Sequence, residues 1–176
     1  VRELGLSDYD AGVLTEDRAL AQYFEAVLEA YGEAKSVANW IINDILGMLN
    51  ERKITMDRFE VPPQRLAELI RMVDHKKVTG QAGREVLAKM LETGKDASAL
   101  VSEMGAEAIS ATDELEPIVR QAMEQADPAV RDYMKGKKKA IGAILGQVMR
   151  LTRGQADPNK AREILQEKLD KMAAEG

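Results

Sequence analysis

Six basic residues, Lys135, Lys137, Lys138, Lys139, Arg150 and Arg153, surround Gly142 and Gly146 in the stretch "YMKGKKKAIGAILGQVMRLTRGQADP". Ammonium and guanidinium groups gathered this closely are suited to phosphate oxygens. The clustering is local. Seven basic residues and one acid lie between Arg131 and Arg153, a net of +6, in a chain whose formal net charge is −5. A basic patch on an acidic body suits a defined anionic target better than indiscriminate attraction.

The element that must carry these residues reads as one helix over residues 137–152. At about 100° per residue, Ala140, Ile141, Ile144, Val148 and Leu151 share a core face. Lys138, Lys139, Gly142, Gly146, Met149 and Arg153 share the other. Glycine without a Cβ lets a partner's backbone approach, and two interior glycines cost the helix roughly 1–2 kcal/mol. Lysines 137–139 fall at the N-terminal end, where cations oppose the helix dipole. A phosphate placed there would satisfy the free amides, the dipole and the ammonium groups together. The same spacing also fits a plainer arrangement, with small residues packing helices closely and lysines on a solvated face. Tyr133 either stacks on a base or ribose or is half-buried.

The rest of the chain supplies helices. The 176 residues are 45% hydrophobic but only 4% aromatic, so aliphatic side chains and methionine must build the core. Strand signals are almost absent. The expected fold is all-α, two small helical-bundle domains in tandem. Thr15 reads as an N-cap before a helix that stops near Gly32. Val37, Trp40, Ile41, Ile45, Met48 and Leu49 form a buried stripe. Gly94 and Gly105 read as helix stops. Thr112 or Asp113 reads as a cap, with Asp113 and Glu116 at capping-box spacing. The two Asp-Pro pairs at Asp127 and Asp157 read as N-cap followed by Pro at the first helical position. The domain boundary is expected at residues 110–114, with three or four helices beyond it.

Other chemistries find little support. No cysteine is present, which excludes disulfides and thiolate sites and fits a reducing cytoplasm. No apolar run approaches the roughly 18 residues of a membrane span, and no signal peptide is visible. The chain starts at Val1 without methionine, as expected of a piece of a longer or processed protein. His75, the only histidine, lacks a partnered nucleophile and reads as a surface residue. The acidic pairs Asp8/Asp10 and Glu16/Asp17 match no metal-ligand loop. The methionines read as core filler. No catalytic residue and no metal ligand is expected in this chain.

The segment "GKKKAIGAILGQVMRLTRGQADPNKAREIL" resembles the YqeY-like tail domain of the B-type subunit of the aspartyl/glutamyl-tRNA(Asn/Gln) amidotransferases. The family pattern is matched at Gly136, Lys137, Lys139, Ala140, Gly142, Gly146, Gln147, Val148, Met149, Gly154, Ala156 and Pro158. Upstream, "YFEAVLEAYGEAKSVANWIINDILGMLN" and "VTGQAGREVLAKMLETGKDASALVSEMG" resemble the helical domain of the same B-type subunit. The resemblance implies residues 1–14 as a linker from an absent amino-terminal catalytic domain, 15–110 as the helical domain and 111–176 as the tail. It implies a part in converting Glu-tRNA(Gln) and Asp-tRNA(Asn) to their amidated forms, by gripping tRNA(Gln) or tRNA(Asn). ATP and Mg²⁺ would belong to the absent domain, with no cofactor in this piece. The partners implied are the A-type amidase subunit and the small C-type subunit. The tRNA-binding residues implied are Lys135, Lys137, Lys138, Lys139, Gly142, Gly146, Arg150, Arg153 and Lys160. Family members often have a basic residue after Gly154 and Asn before Pro158. Here Gln155 and Asp157 stand there, which throws more weight on Arg150, Arg153 and Lys160. Two alternatives stay open: the tail of the related archaeal-type, Glu-tRNA(Gln)-specific protein, or a scaffold whose glycine face docks another subunit.

Overall fold

A computed structural model describes residues 4–175, so the first three residues of the expected linker lie outside the described residues. The fold is all-α. Two compact units divide the chain, one running through Ala106 and the other from Glu107.

The first unit contains α1 (Asp8–Glu16), α2 (Arg18–Tyr31), α3 (Ala34–Asn39), α4 (Leu46–Arg52), α5 (Pro63–Asp74), α6 (Gly80–Thr93) and α7 (Ala97–Met104). Residues 8–14 belong to the segment expected as linker. They are helical, capped by the Ser7 side chain accepting from the Asp10 amide, and they bury Ala11 and Leu14. Thr15 is therefore no N-cap. It lies inside α1, where its hydroxyl bonds back to the Ala11 carbonyl at 2.7 Å. The cap of α2 is Asp17, which accepts from the Leu20 amide at 3.0 Å. Burial of Leu14 decides between two polar residues of nearly equal capping preference. Between α3 and α4 the chain is a π-helix, Trp40–Ile45, a widened turn that no propensity announces. The stripe is nonetheless inward, with Val37, Trp40, Ile41, Ile45 and Leu49 buried. Gly94 and Gly105 end their helices with φ of 66° and 56°, in the left-handed conformation glycine favours. His75 is exposed at the end of α5. Of the methionines only Met90 is buried, while Met104 and Met172 are exposed, so they line core margins more than they fill cores.

The second unit contains α8 (Thr112–Gln125), α9 (Asp127–Met134), α10 (Ile141–Leu151) and α11 (Pro158–Glu175). Leu115, Val119, Ile144, Val148, Leu165 and Leu169 form its core around Tyr133. The Asp113–Glu116 capping box does not form, because α8 already starts at Thr112 after Ala111 and no side chain caps it. Asp127 is likewise inside α9 rather than capping it, and it pairs with Arg131 at 2.6 Å one turn on. Asp157 does cap α11, its Oδ1 accepting from the amides of Asn159 and Lys160 at 2.9 Å each. The segment before α8 is pinned by a parallel bridge. Ile109 donates to the Gln155 carbonyl at 2.8 Å and accepts from the Asp157 amide at 2.9 Å.

Candidate nucleic-acid interface

The basic stretch begins where α9 ends. Lys135 follows the helix, and Gly136 turns the chain with φ 89°. What then reads as one helix from 137 to 152 is two pieces, a 3₁₀ turn over Lys138–Ala140 followed by α10. This removes part of the expected anion site. The amides of Lys137, Lys138 and Ala140 already donate to Asp132, Gly136 and Lys137 carbonyls at 2.9–3.0 Å. An anion arriving here meets side-chain charge more than free backbone N–H groups.

The lysines are not equivalent. Lys137 Nζ lies 3.0 Å from Asp132 Oδ1. Lys138 Nζ sits 4.0 Å above the centroid of the Tyr133 ring and 3.4 Å from Asp170 Oδ1. Tyr133 is therefore not a stacking platform. It is 1% exposed, and its hydroxyl donates to Asp170 Oδ1 at 3.0 Å and accepts from Gln166. Lys135 and Lys139 are exposed, with no carboxylate paired to them among the described residues.

Along α10 the inward face is Ile141, Ile144 and Val148. Gly142, Gly146 and Arg150 fall at i, i+4 and i+8, one line along the helix surface, and all three are exposed. A Cβ built on either glycine meets no heavy atom within 4 Å. The space above them is open, so the pair does not serve packing within this unit. Met149, assigned by spacing to the glycine side, instead leans on the second core. Arg153 lies two residues past the helix, exposed, in a left-handed conformation with φ 51°. An arginine there costs more than a glycine would. Lys160 is half-buried in the first turn of α11, with its ammonium 2.9 Å from Glu163. Of the nine expected contacts, six (Lys135, Lys139, Gly142, Gly146, Arg150 and Arg153) stay uncommitted among the described residues. Lys137, Lys138 and Lys160 are engaged within the protein.

Sequence reasoning missed the residues that hold this surface. Gln147 donates from Nε2 to Gln125 Oε1 and ties α10 to α8. Gln166 donates to Asp170 Oδ2 at 2.8 Å. The Asp170 carboxyl is held below its ordinary range, first by Gln166, then by Tyr133 and Lys138. The pKa of the Lys138 ammonium is raised, first by the adjoining Tyr133, then by Asp170. No local signal links Gln147 to Gln125, 22 residues away, or Asp170 to Tyr133, 37 residues away. Among the described residues no cluster of three or more histidine, aspartate or glutamate side chains can hold a metal ion. No described helix is long and apolar enough to cross a membrane.

Both units are all-α, and the second carries an open glycine line beside exposed basic side chains, which defines a helical module with a basic face. The family model described as "GatB domain" matches residues 22–169, and the chain belongs to this family. It is 40% identical over 167 residues to the B-type subunit of an aspartyl/glutamyl-tRNA(Asn/Gln) amidotransferase from Prochlorococcus marinus, covering 95% of this chain and 34% of that protein. The corresponding protein of Caldicellulosiruptor bescii is 37% identical over 175 residues, covering 98% and 36%. That of Moorella thermoacetica is 41% identical over 165 residues, covering 94% and 35%. The chain thus spans about a third of the length of the curated relatives it matches.

Proposed function

We propose that this chain is the tRNA-gripping portion of the B-type subunit of such an amidotransferase and performs no chemistry by itself. The observation that carries the reading is the open Gly142–Gly146–Arg150 line, beside cations that no carboxylate neutralises among the described residues. The names of the relatives supply the kind of polyanion. Phosphate contacts would come from Lys135, Lys139, Arg150 and Arg153, and bare Cα positions would let the sugar-phosphate backbone come close. Such contacts position the RNA without reading its sequence, and shape does the discriminating. On this reading tRNA(Gln) or tRNA(Asn) is the ligand. The A-type amidase subunit and the small C-type subunit are the protein partners, and the setting is the cytoplasm. Activation with ATP and Mg²⁺ belongs to a domain outside these 176 residues.

The test is filter binding of a tRNA(Gln) transcript from roughly 50 to 200 mM salt. Wild type should lose affinity steeply. The triple variant Lys139→Ala/Arg150→Ala/Arg153→Ala should bind more weakly, with a salt slope shallower by roughly 0.7–0.9 per lost phosphate contact. Unchanged affinity and slope in a folded variant would reject the RNA role. Weak, salt-indifferent binding would point to a glycine face that docks protein.

A further inference from the structure

We propose that Lys138 is a positioning residue: its ammonium clamps the lysine loop onto α9 and α11 through Tyr133 and Asp170, so that Lys135 and Lys139 are presented to the ligand. This rests on the RNA reading above and divides the basic patch into a contacting set and a fixed strut. Three observations support it. Lys138 Nζ stands 4.0 Å over the ring of a tyrosine that is itself 1% exposed. The same ammonium lies 3.4 Å from Asp170 Oδ1, which also accepts the Tyr133 hydroxyl at 3.0 Å. Gln166 bonds both Tyr133 and Asp170 from one turn earlier on α11. A single cation therefore touches two elements besides its own. Lys139, the next residue, is exposed and makes no such contact among the described residues. The acid facing Lys138 is Asp170, while the nearby Asp132 is taken by Lys137.

A cation spent on an internal ring and carboxylate releases few counterions when RNA arrives, because its charge is already compensated. Its loss should act through loop order instead. The experiment compares Lys138→Met with Lys139→Ala in the 176-residue chain, by two readouts. The first, without RNA, is amide hydrogen exchange over residues 135–140. Lys138→Met should speed it about two- to fivefold, and Lys139→Ala should leave it alone. The second is the salt slope for a tRNA(Gln) transcript. Lys139→Ala should make it shallower by roughly 0.7–0.9. Lys138→Met should keep the slope and weaken binding by a similar factor at every salt concentration. Lys138→Arg, which keeps cation and reach, should restore both. Unchanged exchange in Lys138→Met would overturn the clamp, and so would a slope loss matching that of Lys139→Ala. If exchange responds as expected but no variant alters RNA binding, the clamp stands and the RNA reading falls.

Discussion

A methyl group added at Gly142 or Gly146 meets nothing within 4 Å, whereas one added at Gly83 lands 2.8 Å from Val73 Cγ2 and 3.0 Å from Trp40 Cη2. All three glycines sit inside helices, so the intrinsic gain from alanine is the same, about 0.5–1 kcal/mol each. The surroundings decide the sign. Gly142→Ala and Gly146→Ala should raise stability by that amount, read by thermal unfolding followed by circular dichroism. Their tRNA affinity should fall together with that gain, because the closest approach is lost. Gly83→Ala must displace the Val73 methyl and press on Trp40, which is 7% exposed, and should destabilise by about 1–3 kcal/mol. Stable Gly142 and Gly146 variants with undiminished affinity would show that the bare Cα positions serve no ligand.

At the scale of elements, the turn over Lys138–Ala140 and the helices α9 and α11 are joined through one carboxylate. Asp170 has a lowered pKa in the fold, caused first by the Gln166 hydrogen bond, then by Tyr133 and Lys138. A lowered carboxyl pKa adds stability that is present above the unfolded value of about 3.9 and is lost as pH falls through the folded value. Wild type should therefore lose stability in its second unit on acidification below about pH 4. Asp170→Asn should be less stable than wild type at pH 6, with the gap closing toward pH 3, measured by unfolding midpoints across that range. A gap independent of pH would mean that the carboxylate charge contributes nothing there. The helices themselves were largely legible. Apolar spacing placed Ile144 and Val148 inward, and Gly94 and Gly105 ended their helices because a left-handed residue without Cβ is cheapest there. Caps were less legible, since Thr15 and Asp17 have similar local merit and only burial of Leu14 chooses between them. The patch was legible as a cluster of charge but not as a division of labour. Lys137 and Lys160 pair with the nearby Asp132 and Glu163, but Lys138 is neutralised by Asp170, 32 residues away.

Across the whole molecule, two hydrophobic clusters draw on separate sets of residues, one ending at Ala106 and the other beginning with Leu115. Each has its own fully buried aliphatic centre, with Leu66, Leu69 and Ile70 in the first and Ile144, Leu165 and Leu169 in the second. Burial of apolar area is the main favourable term in folding, so stability should be held in two local reservoirs, and one all-or-none transition is not expected. Leu66→Ala and Leu165→Ala each delete a side chain that is 0% exposed, and each should cost about 2–5 kcal/mol. That cost should stay in the unit where the cavity opens. Calorimetry should resolve two transitions, with Leu66→Ala lowering one and Leu165→Ala the other. Hydrogen exchange should assign them, since Leu165→Ala should accelerate amides in α8, α10 and α11 while leaving α5 and α6 protected. One transition lowered equally by both substitutions would show that the two cores melt as a single cooperative body.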